Sequence, residues 1–431
     1  MTDKRSVSIR VPVLARVEGE GALEFDIRDG VIEQLKLRIY EPPRLFEKFL
    51  EGRHYNDVPD MVARICGICP VAYQMSAVHA IESIFDCQPG PWVREMRRLI
   101  YCGEWIESHA LHIHLLAAPD FVGYGSVSEM AKDYPHEVRR GLALQALGNE
   151  IIKFLGARSV HPVGVRVGGF YHAPDKQAAC ALYEKLQVAL PEAEALIRWL
   201  ATLDIPQDEQ AFTSVALRHG SEYAMNEGRL VSNNGLDISP HQFEDCFQEQ
   251  QVAHSTALHC RLNDAPYLVG PLARLNINHD RLPDKIKNLL AELGIHLPIR
   301  NMYLSIMARA VEIYYALGEA CRILEHYTPQ TPYVDVQPNA GVGYGCTEAP
   351  RGVLWHRFEM DEKGDVLRSA IVPPTSQNQA RIEQDLALAL NQYGLHHSDD
   401  ELRQRAEMVV RNYDPCISCS THFLDLRVNR Q

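Results

Sequence analysis

Two Cys-x-x-Cys pairs stand near opposite ends of the chain, Cys66-Gly67-Ile68-Cys69 and Cys416-Ile417-Ser418-Cys419. Thiolates are soft ligands, suited to zinc, iron–sulfur clusters, copper(I) and nickel. Each pair puts two sulfurs within reach of one metal, and the two pairs make a four-thiolate site if the fold joins them. Almost the whole chain separates them, whereas the pairs of a zinc ribbon lie about 15–20 residues apart. A structural zinc also belongs with small domains that need a staple to fold, which a chain of 431 residues does not. One such pair alone would fit zinc, thiol–disulfide exchange or chance equally well. The other seven of the eleven cysteines (Cys87, Cys102, Cys180, Cys246, Cys260, Cys321 and Cys346) stand singly, mostly among apolar neighbours. They read as small buried hydrophobes.

The elements that must carry these thiols can be read from periodicity. Val7 to Tyr40 alternates apolar and polar residues around Asp29-Gly30, a β-hairpin signal. Pro70 suits a first helical position, and Ala72–Phe85 carries apolar residues at helical spacing. Arg94–Leu116 reads as a long buried helix, with further helices near 137–156, 174–202, 282–294, 299–326 and 398–411. The last ends before Asp414-Pro415, where proline disfavours helix for the residue ahead of it. His161–Phe170, Gly341–Tyr344 and the Pro-Pro-Thr-Ser-Gln-Asn-Gln run at 373–379 read as loops or short strands. The expected class is α+β: a mainly helical core with a small N-terminal antiparallel sheet. It is read as one unit over 1–422, β-rich over 1–60 and helical over 61–422.

A net charge of −13 without a basic block disfavours nucleic-acid binding. No run approaches the roughly 20 apolar residues that cross a bilayer. The first residues lack the apolar core of a secretory signal, so the expected location is the cytoplasm. There, paired cysteines bind metal or do redox work more often than they form disulfides.

The surroundings of the thiols narrow the choice. Arg64-Ile65-Cys66-Gly67-Ile68-Cys69-Pro70 and Asp414-Pro415-Cys416-Ile417-Ser418-Cys419-Ser420-Thr421-His422 resemble the two signature motifs of the nickel–iron hydrogenase large subunit. Arg16-Val17-Glu18-Gly19, Glu41-Pro42-Pro43-Arg44-Leu45-Phe46-Glu47 and Glu348-Ala349-Pro350-Arg351-Gly352 also look like family motifs, in family order. The 69–82 and 103–112 segments look most like the soluble cytoplasmic bidirectional group, which includes NAD(P)-linked hydrogenases and sulfhydrogenases.

That resemblance implies a role for each matching residue. Cys66 and Cys416 are terminal thiolates on nickel, while Cys69 and Cys419 bridge nickel to an iron bearing carbonyl and cyanide ligands. Cys416 takes the first proton from H2 and Glu18 passes it on, while Glu20 and Glu24 are solvent-facing acids. Arg351 lies over the metals with Asp414 as its ion-pair partner. Pro350 and Val353 line the pocket of the diatomic ligands, and Thr375 donates a hydrogen bond to the second cyanide. Glu47 and His422 hold a buried Mg²⁺ (or Fe²⁺). A maturation peptidase cuts after His422, so Phe423–Gln431 are expected to be removed once metal-insertion proteins have loaded the site. Tyr73 and Ser108 stand where many relatives carry histidine and some carry aspartate, and His109, His112 and His114 are expected to make core or outer hydrogen bonds.

The chain holds no further iron–sulfur motif and no Rossmann Gly-x-Gly-x-x-Gly fingerprint. The resemblance therefore implies an iron–sulfur small subunit, then flavin- and NAD(P)-binding and further iron–sulfur subunits. Polysulfide or a ferredoxin-type protein is the alternative acceptor. A non-catalytic relative of the respiratory-complex type, or a zinc or disulfide scaffold, are the competing readings.

Overall fold

In the computed structural model, which describes residues 6–421, helices form about half of the chain and the strands gather into small antiparallel sheets. At the N-terminus β1 (Ser6–Val11), β2 (Gly21–Arg28) and β3 (Val31–Ile39) pair in chain order, with Asp29-Gly30 turning the β2–β3 hairpin. Both Asp29 and Gly30 adopt positive φ, as such a turn requires. The inward residues Leu23, Phe25, Leu37 and Ile39 are buried, so the alternation seen in the sequence is the burial pattern of a sheet packed on one face.

After the short helix α1 (Phe46–Leu50) come α2 (Pro70–Ile84), α3 (Pro91–Leu111), α4 (Pro135–Gly156) and α5 (Lys176–Leu200). Three of these start on proline, whose fixed φ and missing N–H cost nothing at a first helical position. α3 is buried almost throughout from Trp92 to Ala110 and is the axle of the bundle. It crosses α4 at Gly103 and Gly148. A Cβ on Gly148 would lie 2.5 Å from the Glu107 amide nitrogen and 2.6 Å from the Gly103 carbonyl oxygen. That approach brings Glu107 and Ser108 to the inner side of the bundle. Beyond Leu111 the expected helix continues as a π-turn over His112–Ala117, a distortion common near functional sites.

The C-terminal half adds the hairpin of β4 (Phe247–Gln250) and β5 (His259–Leu262), then α6 (Ser305–Glu325) and the sheet of β6 (Gly341–Ala349), β7 (Gly352–Met360) and β8 (Val366–Val372). It closes with α7 (Pro374–Tyr393) and α8 (Asp399–Asn412).

One of the two loop-or-strand expectations fails here. Gly341–Tyr344 is strand: β6 lies so close on α2 that a Cβ on Gly345 would sit 1.9 Å from the Ser76 carbonyl oxygen. Its glycines serve contact rather than turning. The 373–379 run is the first turns of α7, started by Pro374. Of the single cysteines, Cys102, Cys260, Cys321 and Cys346 are buried as expected, Cys87 and Cys246 partly so, and Cys180 is exposed. None of the described helices is long and apolar enough to cross a membrane.

Candidate metal centre

Cys66 follows a short 3-10 turn (Ala63–Ile65), and Cys69 caps α2. Cys416 caps the four-residue turn Ile417–Ser420. A helical turn brings Cys419 back toward Cys416, and a bend over 67–69 does the same for Cys69 and Cys66. The fold unites all four in a buried cluster. Sγ of Cys66 is 3.6 Å from that of Cys416, and Cys416 lies 2.7 Å from Cys419. Cys66, Cys69 and Cys419 have their sulfurs within 4.8 Å of one another.

Both loops are tied by one side chain. The Arg44 guanidinium donates to the carbonyl of Ile65, at 2.7 Å, and to that of Ser418, while its amide donates to Thr421. Amides of Ile68 and Cys69 point at the Cys66 sulfur, each at 3.3 Å. Hydrogen bonds from Cys416, Cys419 and Cys69 pull the Cys66 thiol well below its usual range, whereas burial first pushes Cys416 well above it. The cluster thus holds its negative charge unevenly, as coupled sites do.

Glu18 forms an isolated parallel bridge to Cys416: its carbonyl accepts from the Ile417 amide at 3.0 Å. The Cys416 thiol donates to Glu18 Oε2 at 3.1 Å, and the Ser418 amide reaches the same oxygen at 3.1 Å. Gly19 permits this closeness. Its φ is +89°, and a Cβ there would lie 2.7 Å from Ile417 Cβ. The approach is held from behind by Asp120, which pairs with both Arg16 and Arg411.

Arg351 and Asp414 are buried partners. Nε donates to the Asp414 carbonyl at 2.7 Å and an Nη to its carboxylate at 3.1 Å. Against the cost of burial, Asp414 and then the thiols hold the guanidinium firmly charged. Arg351 is aimed by a residue that sequence reasoning passed over. Arg274, fully buried, donates to the carbonyls of Ala349, at 2.7 Å, and Pro350, at 2.8 Å. It also pairs with Glu312 and Glu348 and lies over the Trp105 ring. Nothing in the string Pro-Leu-Ala-Arg-Leu-Asn marks it.

Thr375, on the first turn of α7, accepts from the Cys416 amide at 3.0 Å, which leaves its hydroxyl proton free to donate. Pro350 is buried beside Arg351. Val353 is buried in a second, smaller core with Trp355, Tyr267 and Val372. Tyr73 and Ser108 are buried, and neither hydroxyl has a hydrogen-bond partner among the described residues. Burial and then the thiols raise the Tyr73 phenol well above its ordinary value, so it stays a donor. Glu107 faces Arg351, Cys66 and Asp414, and burial raises its carboxyl well above the usual range.

His109 bonds Glu312 at 2.8 Å, His112 the Arg411 carbonyl at 2.7 Å and His114 the Ala110 carbonyl at 3.0 Å, all as core contacts. Glu47 accepts from the Ile371 amide at 2.6 Å. His422, its expected metal partner, and the tail after it lie outside the described residues.

The residues fit a thiolate-held metal group. Four soft donors converge, and three polar groups around them, Arg351 Nη1, Asp414 Oδ2 and the Tyr73 hydroxyl, are buried without partners among the described residues. Unmade hydrogen bonds of this kind are costly, and acceptor ligands on a bound metal would supply partners for the two donors, Arg351 Nη1 and the Tyr73 hydroxyl.

Comparison with known proteins points the same way. The family described as nickel-dependent hydrogenase matches residues 44–140 and 221–422. The alpha subunit of sulfhydrogenase 1 from Pyrococcus furiosus is 33% identical over 97% of this chain and 98% of its own length. The alpha subunit of sulfhydrogenase 2 from the same organism is 32% identical over 97% and 100%. The crystal structure of an NAD⁺-reducing nickel–iron hydrogenase in its H2-reduced state superposes with a TM-score of 0.86 at 25% identity, covering 96% of this chain and 99% of that one.

Proposed function

This chain belongs to the nickel-dependent hydrogenase family, and we propose that Cys66, Cys69, Cys416 and Cys419 hold a nickel–iron centre at which it splits H2 reversibly into protons and electrons. Cys69 and Cys419 would hold both metals, and Cys66 and Cys416 would hold the nickel. No side chain can cleave the nonpolar H–H bond unaided. The bound group supplies the open coordination position and Lewis acidity for that step, with carbonyl and cyanide completing the iron.

The chain's own residues then handle the proton. Cys416 takes it at sulfur and hands it to Glu18 Oε2, 3.1 Å away, within direct transfer distance. The Ser418 amide fixes that oxygen in place. From its Asp414 anchor Arg351 would offer its unpartnered Nη1 to a cyanide ligand or assist the polarisation of H2, and the Thr375 hydroxyl would donate to the second cyanide. Pro350 and Val353 keep that pocket apolar. The 3.1 Å contact between Cys416 and Glu18 in a buried four-thiol cluster carries this reading. Glu18→Gln removes the titrating group but preserves the shape. Its H2-dependent dye reduction is expected to fall about 10²–10⁴-fold, with nickel and iron contents unchanged. Wild-type turnover in that variant would remove Glu18 from the path.

The relatives named alpha subunits support assembly with an iron–sulfur small subunit. The NAD⁺-reducing neighbour supports onward transfer through flavin and further iron–sulfur subunits to NAD(P) in the cytoplasm. The sulfhydrogenase relatives favour a second reading, a sulfur-type acceptor for the same chemistry. Residues 1–422 serve as one catalytic unit. Glu47 and His422 hold Mg²⁺ or Fe²⁺, and the 423–431 peptide is removed by the maturation peptidase after metal insertion.

A further inference from the structure

The β4–β5 hairpin gathers a second set of metal-type donors, and the nickel–iron reading does not use them. His254 lies in the loop between the strands, His259 opens β5, and Glu383 projects from α7. Each offers one ligand atom, and the three atoms lie within 4.8 Å of one another. We propose that His254, His259 and Glu383 bind a divalent transition ion, Zn²⁺ in the resting protein.

Three observations support the site. His259 is 1% exposed, and its Nε2 has no hydrogen-bond partner among the described residues. An imidazole nitrogen is rarely buried without reason, because leaving it unpaired costs free energy. Glu383 is already oriented: its Oε1 accepts from the Leu37 amide at 2.9 Å and contacts His254 Nε2 at 2.7 Å. Finally, the His254 and Glu383 side chains are each 20% exposed, which leaves the ion an entry from solvent and room for water as a further ligand.

The donor set chooses the ion. Two imidazoles and one carboxylate match zinc sites with an open position. Mg²⁺ and Ca²⁺ prefer all-oxygen shells. The site joins β3, the hairpin loop and α7. Glu383 lies eight residues beyond Thr375 on α7, about 12 Å along the helix axis.

The test uses the nickel- and iron-loaded enzyme, whose thiols are already committed. It is stripped with a mild chelator, desalted and titrated with Zn²⁺ alone, then with Co²⁺ as a visible probe. We expect one additional equivalent per chain and a tetrahedral or five-coordinate Co²⁺ spectrum. His259→Gln and Glu383→Gln should each weaken the uptake about tenfold or more. Glu383→Gln keeps an acceptor for the Leu37 amide, so loss of binding there is not a folding effect. Nickel and iron contents and dye-linked H2 oxidation should stay at wild-type levels in both variants. Uptake by the wild type no greater than by His259→Gln would overturn the site, as would an octahedral Co²⁺ signal that persists in both variants. Because the readout is a second metal, failure here leaves the four-thiol reading standing.

Discussion

Arg351 meets the thiol cluster with one side of its guanidinium committed and the other free. Nε and one Nη are held by Asp414, and Nη1 has no partner among the described residues. Truncation to alanine would strand the Asp414 carboxylate in the interior, at a cost of about 3–5 kcal/mol, and would confuse folding with function. Arg351→Lys is the cleaner test. It keeps the positive charge beside Asp414 but loses the planar fork that serves two partners at once. We expect H2 oxidation to fall about 10²–10³-fold, the usual loss for one preorganised donor. Metal content and thermal midpoint should stay near wild type. Turnover within a few-fold of wild type would mean that the charge alone suffices. Arg351, Asp414 and Glu18 were legible from their motifs, because short strings around a reactive residue survive as strings. Arg274 was not: it acts through the fold, gripping the carbonyls on either side of the Ala349–Pro350 bond from another helix.

The elements were legible where burial follows periodicity and hidden where backbone contact replaces it. The β2–β3 hairpin and α3 appear in the sequence because their apolar spacing is their packing face. β6 does not, since Gly343 and Gly345 meet α2 directly and leave no side-chain pattern to read. α3 and its π-turn also carry a cost that can be measured. Burial lowers His109 to about 4, His112 to about 3 and His114 to about 4 from an ordinary 6.5. Between those values the unfolded chain binds more protons than the folded one, so stability rises with pH through the window and falls on acidification. From about pH 8 down to about pH 5 each histidine should cost about 2 kcal/mol. His112→Gln keeps a donor for the Arg411 carbonyl and removes one titration. Denaturant midpoints across that range should drop less in the variant than in wild type, by about the same 2 kcal/mol. Parallel pH profiles would show that His112 is charged inside the fold.

At the scale of the molecule, the centre closes only when the two ends of the chain meet. The Cys66 loop belongs to the N-terminal third, and Cys416 comes after the last long helix. Glu18, Glu41 and Arg44 from the first motifs clasp the segment 416–421: Glu18 by the bridge to Cys416, Glu41 by accepting from the Ser418 hydroxyl at 3.1 Å, Arg44 by its two donations to Ser418 and Thr421. Arg44 donates to both thiol loops, while the helical bundle stands on α3, α4 and α6 without it. Metal retention and global folding should therefore separate at this residue. Arg44→Ala is expected to keep the wild-type far-ultraviolet circular dichroism and lose nickel and iron affinity by about 10–100-fold, the usual effect of removing a partner that orients metal ligands. Amide exchange should quicken in the 412–421 segment and stay slow in α3. Full metal content in Arg44→Ala would show that the thiol loops find their register without the clasp. Unfolding of the whole chain would show that closure of the centre and closure of the core are one event.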